Sequence, residues 1–294
     1  MAVIARMKRM AVLGSGLLGG SIVLAAQKHR PGLSVCLWGR REAGVSEARE
    51  RGIHEATTDL AEAVSGAYVI ILASPVGAML EILKAAAETT SLEGVIISDV
   101  GSVKLTPRDT LEDLVKEVGA LYIGSHPMAG SEQAGVGAAT EDLFQGAACV
   151  MTNDFNHPDS QVEALRSMWE SLGCRCYLTS SEDHDRVMAR VSHLPHILAS
   201  VGSLVGLKNP DDGLFAGNGM RDTTRVASGH PGMWAEILQR NKAALKQPLE
   251  ETISYLREML AMLDDSSDER VIRFLQDAKT LRDGLGPRRQ SSDD

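Results

Sequence analysis

Residues 10–26, Met-Ala-Val-Leu-Gly-Ser-Gly-Leu-Leu-Gly-Gly-Ser-Ile-Val-Leu-Ala-Ala, decide the fold. Four apolar residues run into Gly14, Gly16 and Gly19, spaced G-x-G-x-x-G, and an apolar helical pattern follows. A strand that turns sharply into a helix this way places the helix N-terminus, with its free N–H groups, over the turn. The first glycine permits the turn, the second lets backbone approach a pyrophosphate, and the third lets helix and strand pack closely. Gly14, Ser15, Gly16, Leu17, Leu18 and Gly19 are therefore candidate contacts for a dinucleotide.

Outward from this stretch the same alternation repeats. Strand candidates lie at 10–13, 33–38, 68–73, 95–98, 121–124, 148–151 and 176–178, with amphipathic helices at 17–29, 76–89, 103–118 and 160–172. Such alternation predicts a mostly parallel sheet with helices on both faces, here spanning residues 1–178. From 179 the pattern changes. Thr179-Ser180-Ser181-Glu182-Asp183 has hydroxyl caps and first-turn acids, and 182–207, 231–263 and 267–284 all have helical periodicity around a Gly- and Asp-rich connection at 208–230. The expected fold class is an α/β N-terminal domain followed by an all-α domain over 179–294, with residues 290–294 disordered. The uncharged stretch 194–207 should be buried on all sides, inside the domain or against another subunit.

Composition fits a soluble protein of one large or two ordinary domains: 294 residues, 44% hydrophobic and 23% charged. A net charge of −9 argues against nucleic acid or an anionic membrane as partner. Cys36, Cys149, Cys174 and Cys176 lack paired metal spacing and are expected as reduced core thiols. Arg6, Lys8 and Arg9 precede an apolar run that glycines interrupt, unlike a signal peptide, and 194–207 is too short to span a bilayer. The cytoplasm is the expected compartment. No metal is expected either.

The strand ending at Trp38 continues into Gly39-Arg40-Arg41, without the acid that binds the ribose hydroxyls of NAD. Adjacent guanidinium groups suit a 2′-phosphate, so NADP is expected over NAD; the alternative is a pair of solvated arginines at a helix start. Ser74-Pro75 and the segment Asp99 to Lys104 also follow strands. Together with Gly14–Gly19, Gly39–Arg41 and His126, they fall at the sheet edge where open α/β folds bind ligands.

His126 leaves the 121–124 strand into a Pro- and Gly-rich loop, where an imidazole can accept a hydroxyl proton as carbon gives up hydride. Ser102 could orient that ring, or be a plain turn serine. His193 and His196 flank Pro195 on one helical face, which fits a pocket at a kink, with a satisfied core histidine as the plainer reading of each. Arg221 and Arg225 are candidate carboxylate partners. Trp234 belongs as readily to the core as to a pocket.

In the motifs GSGLLGGS (14–21), DVGSVK (99–104), SHPMAGSEQAG (125–135), SHLPH (192–196), FAGNGMRDTTRVA (215–227), MW (233–234) and QRNK (239–242), the chain resembles the prephenate/arogenate dehydrogenases of tyrosine biosynthesis. The resemblance implies a Rossmann-like domain, an all-helical domain forming a homodimer, and oxidative decarboxylation of a cyclohexadienyl carboxylate. It implies that His126 assists deprotonation of the ring hydroxyl, that Ser102 positions His126, and that Arg225 binds the ring carboxylate. His196 would contact the substrate side chain and Trp234 line the pocket, with His193 and Ser131 among the substrate contacts and Glu132 gating or polarising the site. A donor at His196 suits a keto oxygen, so prephenate is expected over arogenate. The chain ends too soon after 284 for an added regulatory domain, which would place any tyrosine feedback at the active site.

Two other readings compete. A β-hydroxyacid-type dehydrogenase would use a lysine such as Lys242, which leaves HPMAG and SHLPH without a role. A non-catalytic nucleotide sensor would have no need of His126.

Overall fold

The computed structural model describes residues 7–130, 133–265 and 268–285. Six strands form one parallel sheet: β1 (Arg9–Leu13), β2 (Ser34–Trp38), β3 (Ala56–Thr57), β4 (Val69–Leu72), β5 (Ile96–Asp99) and β6 (Leu121–Tyr122). Their order, β3-β2-β1-β4-β5-β6, reverses direction between β1 and β4, which opens a crevice at the carboxyl ends of those two strands. Helices α1 (Leu17–His29), α2 (Glu42–Glu50), α3 (Leu60–Val64), α4 (Met79–Thr89) and α5 (Leu105–Glu117) make the connections.

The strands are apolar on both sides because both faces are covered. Met10, Val12, Val35, Leu37, Val69 and Ile71 belong to one core cluster. Their strand neighbours Ala11, Leu13, Cys36, Ile70 and Leu72 belong to another. That division is the two-residue period of a strand made visible.

The expected strand at 121–124 divides. Only Leu121–Tyr122 stays in the large sheet, and Gly124–Pro127 forms β7 of a second sheet. There β7 pairs antiparallel with β8 (Ala148–Thr152), and β8 parallel with β9 (Arg175–Thr179) across α6 (Asp159–Ser171). The expected strands at 148–151 and 176–178 therefore belong to this smaller sheet. Gly124 makes the transfer possible: a Cβ there would lie 2.5 Å from Thr152 Oγ1 and 3.1 Å from Lys104 Cδ. His126, expected in a loop, sits within β7 opposite Val150 and is only 6% exposed.

In the helical half, Ser180 caps α7 (Ser181–Met188), its Oγ accepting from Asp183 N at 3.1 Å. The helix expected over 182–207 is interrupted by a π turn (Ala189–His193) before α8 (Leu194–Gly206). Pro195 explains the break, because it has no N–H to give the preceding turn and its ring crowds a carbonyl there. The 208–230 connection holds a short helix, α9 (Asn218–Thr224). Next come α10 (Pro231–Arg240), α11 (Lys242–Leu263) and α12 (Asp268–Asp283).

The uncharged stretch is not enclosed by its own chain. Within α8 only His196 and Ala199 are buried, while Leu204 is 75% and Val205 73% exposed. Among the described residues no helix is long and apolar enough to cross a membrane. Residues 290–294 lie outside the described residues.

Candidate active site

Backbone sets the first part of the site. Gly14 has φ +143°, and a Cβ there would collide with the Ala73 carbonyl at the end of β4. At Gly19 a Cβ would strike the Gly14 carbonyl, so helix and turn can approach only through glycine. Gly16 differs: nothing lies within 4 Å of its would-be Cβ. It precedes α1 with no side-chain cap, leaving the first N–H groups of a thirteen-residue helix unanswered. Open space over uncapped N–H groups is what a pyrophosphate requires, and the residues present fit a nicotinamide dinucleotide.

The cleft above this turn has a volume of about 860 Å³. Gly14, Ser15 and Gly16 form its floor, Trp38, Arg40 and Arg41 one end, and Ser74 and Pro75 the other. Leu17, Leu18 and Gly19 do not line it. They form the first turn of α1, with Leu18 against the core. Gly39 is a packing residue, since a Cβ would come within 2.7 Å of Ser15 Oγ and 3.0 Å of Val45. Trp38 also lines the cleft, although no motif in the sequence marks it.

Asp99 does not line the cleft. It is wholly buried, paired with the equally buried Lys104, and accepts from Tyr122 Oη at 2.8 Å and from Gly101 N at 2.8 Å. Lys104 Nζ also donates to the Ser125 carbonyl at 2.7 Å. This buried ion pair ties β5, the start of α5 and the strand that bears His126.

His126 lies one residue beyond that tie, and Ser125 Oγ is 2.9 Å from Ser98 Oγ of β5. Its Nδ1 is 2.8 Å from Nε2 of His184, whose own Nδ1 is 2.7 Å from Asp185 Oδ1. His126 Nε2 accepts from none of the described residues. Burial holds the His126 pKa well below the usual imidazole value, and the neighbouring His184, Lys104 and His193 push the same way. The ring is therefore neutral near pH 7, with a lone pair to offer. The Ser102 hydroxyl makes no hydrogen bond among the described residues, and the partner that the structure gives the His126 ring is His184.

A second cluster lies alongside. His193 is fully buried, with Asn241 Nδ2 3.0 Å from its Nδ1, and Trp234 stands edge-on at 6.3 Å between centroids. Burial lowers the His193 pKa to about 4, against an upward pull from Asp185 and the Ser102 carbonyl. His196 stacks on Trp234 at 3.6 Å and 9°. Its pKa is lowered by burial, partly offset by the Val226 carbonyl. Apart from the loose approach of the Ser102 and Val226 carbonyls to these rings, buried His193 Nε2 and His196 Nδ1 make no well-formed hydrogen bond among the described residues, the kind of donor or acceptor a polar ligand would satisfy. Arg225 is exposed at the end of α9, next to the Val226 that meets His196. Trp234 and Ile237 of α10 pack against the sheet's core, and Glu236 accepts from Gly77 N at 2.6 Å, which fixes this helix beside the cleft. Ser131 and Glu132 lie outside the described residues.

A dinucleotide cleft at the switch point of a parallel sheet, with a neutral buried imidazole on the smaller second sheet, defines an oxidoreductase class with a helical second half. Residues 22–178 match the family model described as prephenate dehydrogenase, nucleotide-binding domain, and residues 180–277 match prephenate dehydrogenase, dimerization domain. The chain belongs to the prephenate dehydrogenase family. It is 34% identical over 284 residues to the prephenate dehydrogenase of Bacillus subtilis, covering 94% of this chain and 76% of that one. It is 31% identical over 281 residues to the cyclohexadienyl dehydrogenase of Zymomonas mobilis, covering 94% and 95%. The solved prephenate dehydrogenase from A. aeolicus, in complex with hydroxyphenyl propionate and NAD+, superimposes with a TM-score of 0.85 at 27% identity, over 95% of this chain and 99% of that one.

Proposed function

We propose that this chain oxidises and decarboxylates prephenate to 4-hydroxyphenylpyruvate, with NADP+ favoured over NAD+. The observation that carries this reading is His126: buried, neutral and with Nε2 unengaged among the described residues, on a strand that Ser125 ties to β5 of the large sheet. Bound NAD(P)+ supplies the hydride acceptor. His126 Nε2 takes the hydrogen bond, then the proton, of the ring hydroxyl as the carbinol carbon is oxidised. Arg225 holds the ring carboxylate that leaves as CO2, so its work is binding and orientation. His196 meets the side-chain keto oxygen, supported by its stacked Trp234. Loss of CO2 makes the ring aromatic and the step irreversible.

The phosphate preference rests on Arg40 and Arg41, both lining the cleft just past β2, where Gly39 stands in place of an acid. Residues 1–178 would hold the cofactor, and 179–294 would supply substrate contacts and the face that forms a homodimer. The exposed Leu204 and Val205 of α8, with Leu256 and Leu260 of α11 (58% and 65% exposed), support that face. Four free cysteines support work in the reducing cytoplasm.

The test is steady-state reduction of NADP+ and NAD+ with prephenate and, separately, arogenate, followed at the reduced-nicotinamide absorbance with CO2 release measured in parallel. Faster turnover with prephenate and NADP+ is expected. A preference for arogenate would reassign the His196 contact, and silence with both acids would overturn the reading.

A further inference from the structure

The hydrogen bond between His126 and His184 has a direction that follows by elimination. Asp185 receives the backbone N–H of Lys104 at 2.7 Å and of Leu105 at 3.1 Å, and His184 Nδ1 lies 2.7 Å from its Oδ1. A carboxylate only accepts, so His184 Nδ1 carries the hydrogen. Burial lowers the His184 pKa, against an upward pull from Asp185, and the ring is neutral. Its Nε2 is then an acceptor, and His126 Nδ1 must be the donor across the 2.8 Å contact. The lone pair of His126 is thereby placed on Nε2.

We propose that His184 and Asp185 are positioning residues for the reaction, holding His126 in the tautomer that accepts at Nε2 and taking up the proton that it displaces. This rests on the reading of His126 as the group that receives the substrate's hydroxyl proton. As the substrate O–H bond breaks, an N–H bond forms at His126 Nε2. The His126 Nδ1–H bond breaks in turn, and a new N–H bond forms at His184 Nε2. The O–H electron pair becomes the carbonyl π bond while the carbinol C–H pair leaves as hydride to bound NAD(P)+. His126 ends neutral with its hydrogen on Nε2, and His184 ends as an imidazolium against Asp185 Oδ1.

The surroundings favour that final placement of charge. His126 is hemmed in by the Lys104 ammonium, His193 and His184, all of which disfavour a cation there. His184 also feels Lys104, but it has Asp185 in direct contact and Asp99 nearby to offset it. Tyr122, on β6, is bonded to Asp99 and stays neutral, its pKa raised by burial and by that carboxylate. The backbone donors on Asp185 come from the first turn of α5, so the carboxylate that orients His184 is itself fixed by a second element. Asn241 Nδ2 holds the Asp185 carbonyl at 2.8 Å from a third.

The first test needs no substrate. In protein carrying 15N-labelled histidine, the His126 signals, assigned by their loss in His126→Asn, should show hydrogen on Nδ1 and none on Nε2. The second uses His184→Gln, whose side-chain oxygen still accepts from His126 Nδ1 but cannot pass a proton on. Its expected signature is an unchanged tautomer, KM within about twofold, kcat lowered at least about tenfold, and the acid limb of the pH profile moved to lower pH. His184→Leu, with no acceptor, should populate the Nε2–H tautomer as well. An Nε2–H tautomer in the wild-type enzyme would overturn the proposal. So would wild-type kcat with an unmoved acid limb in His184→Gln. Turnover failing on every acid would sink the functional reading instead, and would leave the tautomer result standing as a separate answer.

Discussion

The glycine-floored cleft and the histidine cluster proposed to handle the proton are made differently. The cleft is a product of backbone and of missing side chains: two glycines whose Cβ atoms would strike carbonyls, a third that opens onto empty space, and an uncapped helix start. Nearly all of that lies within six consecutive residues. The histidine cluster is made of side chains brought from β5, β7, α7, the π turn and the junction between α10 and α11. A local device tolerates change around it, whereas a network spread over five elements depends on every partner being present.

Four experiments test that contrast, beginning with the largest effect. Asp99→Asn leaves the buried Lys104 ammonium without its carboxylate and should cost about 3–5 kcal/mol of stability, measured by chemical denaturation; a loss below 1 kcal/mol would mean that the pair does not tie the two sheets. In the cleft, two neighbouring glycines should behave oppositely. Gly19→Ala meets a carbonyl and should lose stability by roughly 1–3 kcal/mol or more, whereas Gly16→Ala should keep its Tm and bind cofactor less well. Equal behaviour of the two in melting and cofactor titration would contradict the division of roles.

Smaller effects follow. Arg40→Ala and Arg41→Ala should each cut the preference for NADP+ by roughly tenfold, the scale of one charge-assisted hydrogen bond, and unchanged kcat/KM ratios would remove the arginines from phosphate recognition. The pH dependence of stability has a definite sign. Burial lowers the His193 pKa to about 4 from 6.5, so between those values the unfolded chain binds a proton that the folded chain does not. Tm should therefore fall as pH drops through that window, less steeply in His193→Gln, and a flat profile would contradict it.

How far each region could be foreseen follows from its construction. Residues 17–29 were expected as a helix and form α1, because an apolar period bounded by glycines is a local signal. The two-residue β3 left no such signal, and α3 depended on its Asp59 cap. The 121–124 strand was foreseen as one piece because nothing apolar marks where a chain changes sheets. Gly124 is the only sign, and it becomes meaningful once Lys104 and Thr152 are seen against it. His126 was singled out from its motif, but the ring next to it was not. His184 and Asp185 sit in the first turns of a helix, where acids ordinarily answer the helix dipole. Asp185 answers α5 instead, through the N–H groups of Lys104 and Leu105, a relation across some eighty residues that no periodicity reveals. Asp99, conversely, looked like a ligand at a strand end and is a buried structural partner.

The most direct test of the central claim, that cofactor binding and proton handling are separable devices in one enzyme, is to titrate NADP+ onto wild type and His126→Asn and to measure turnover of both. The account predicts the same Kd within about twofold, with kcat reduced about 10²–10⁴-fold. Near-normal turnover would remove His126 from the chemistry, and a parallel collapse of cofactor affinity would contradict the separation itself.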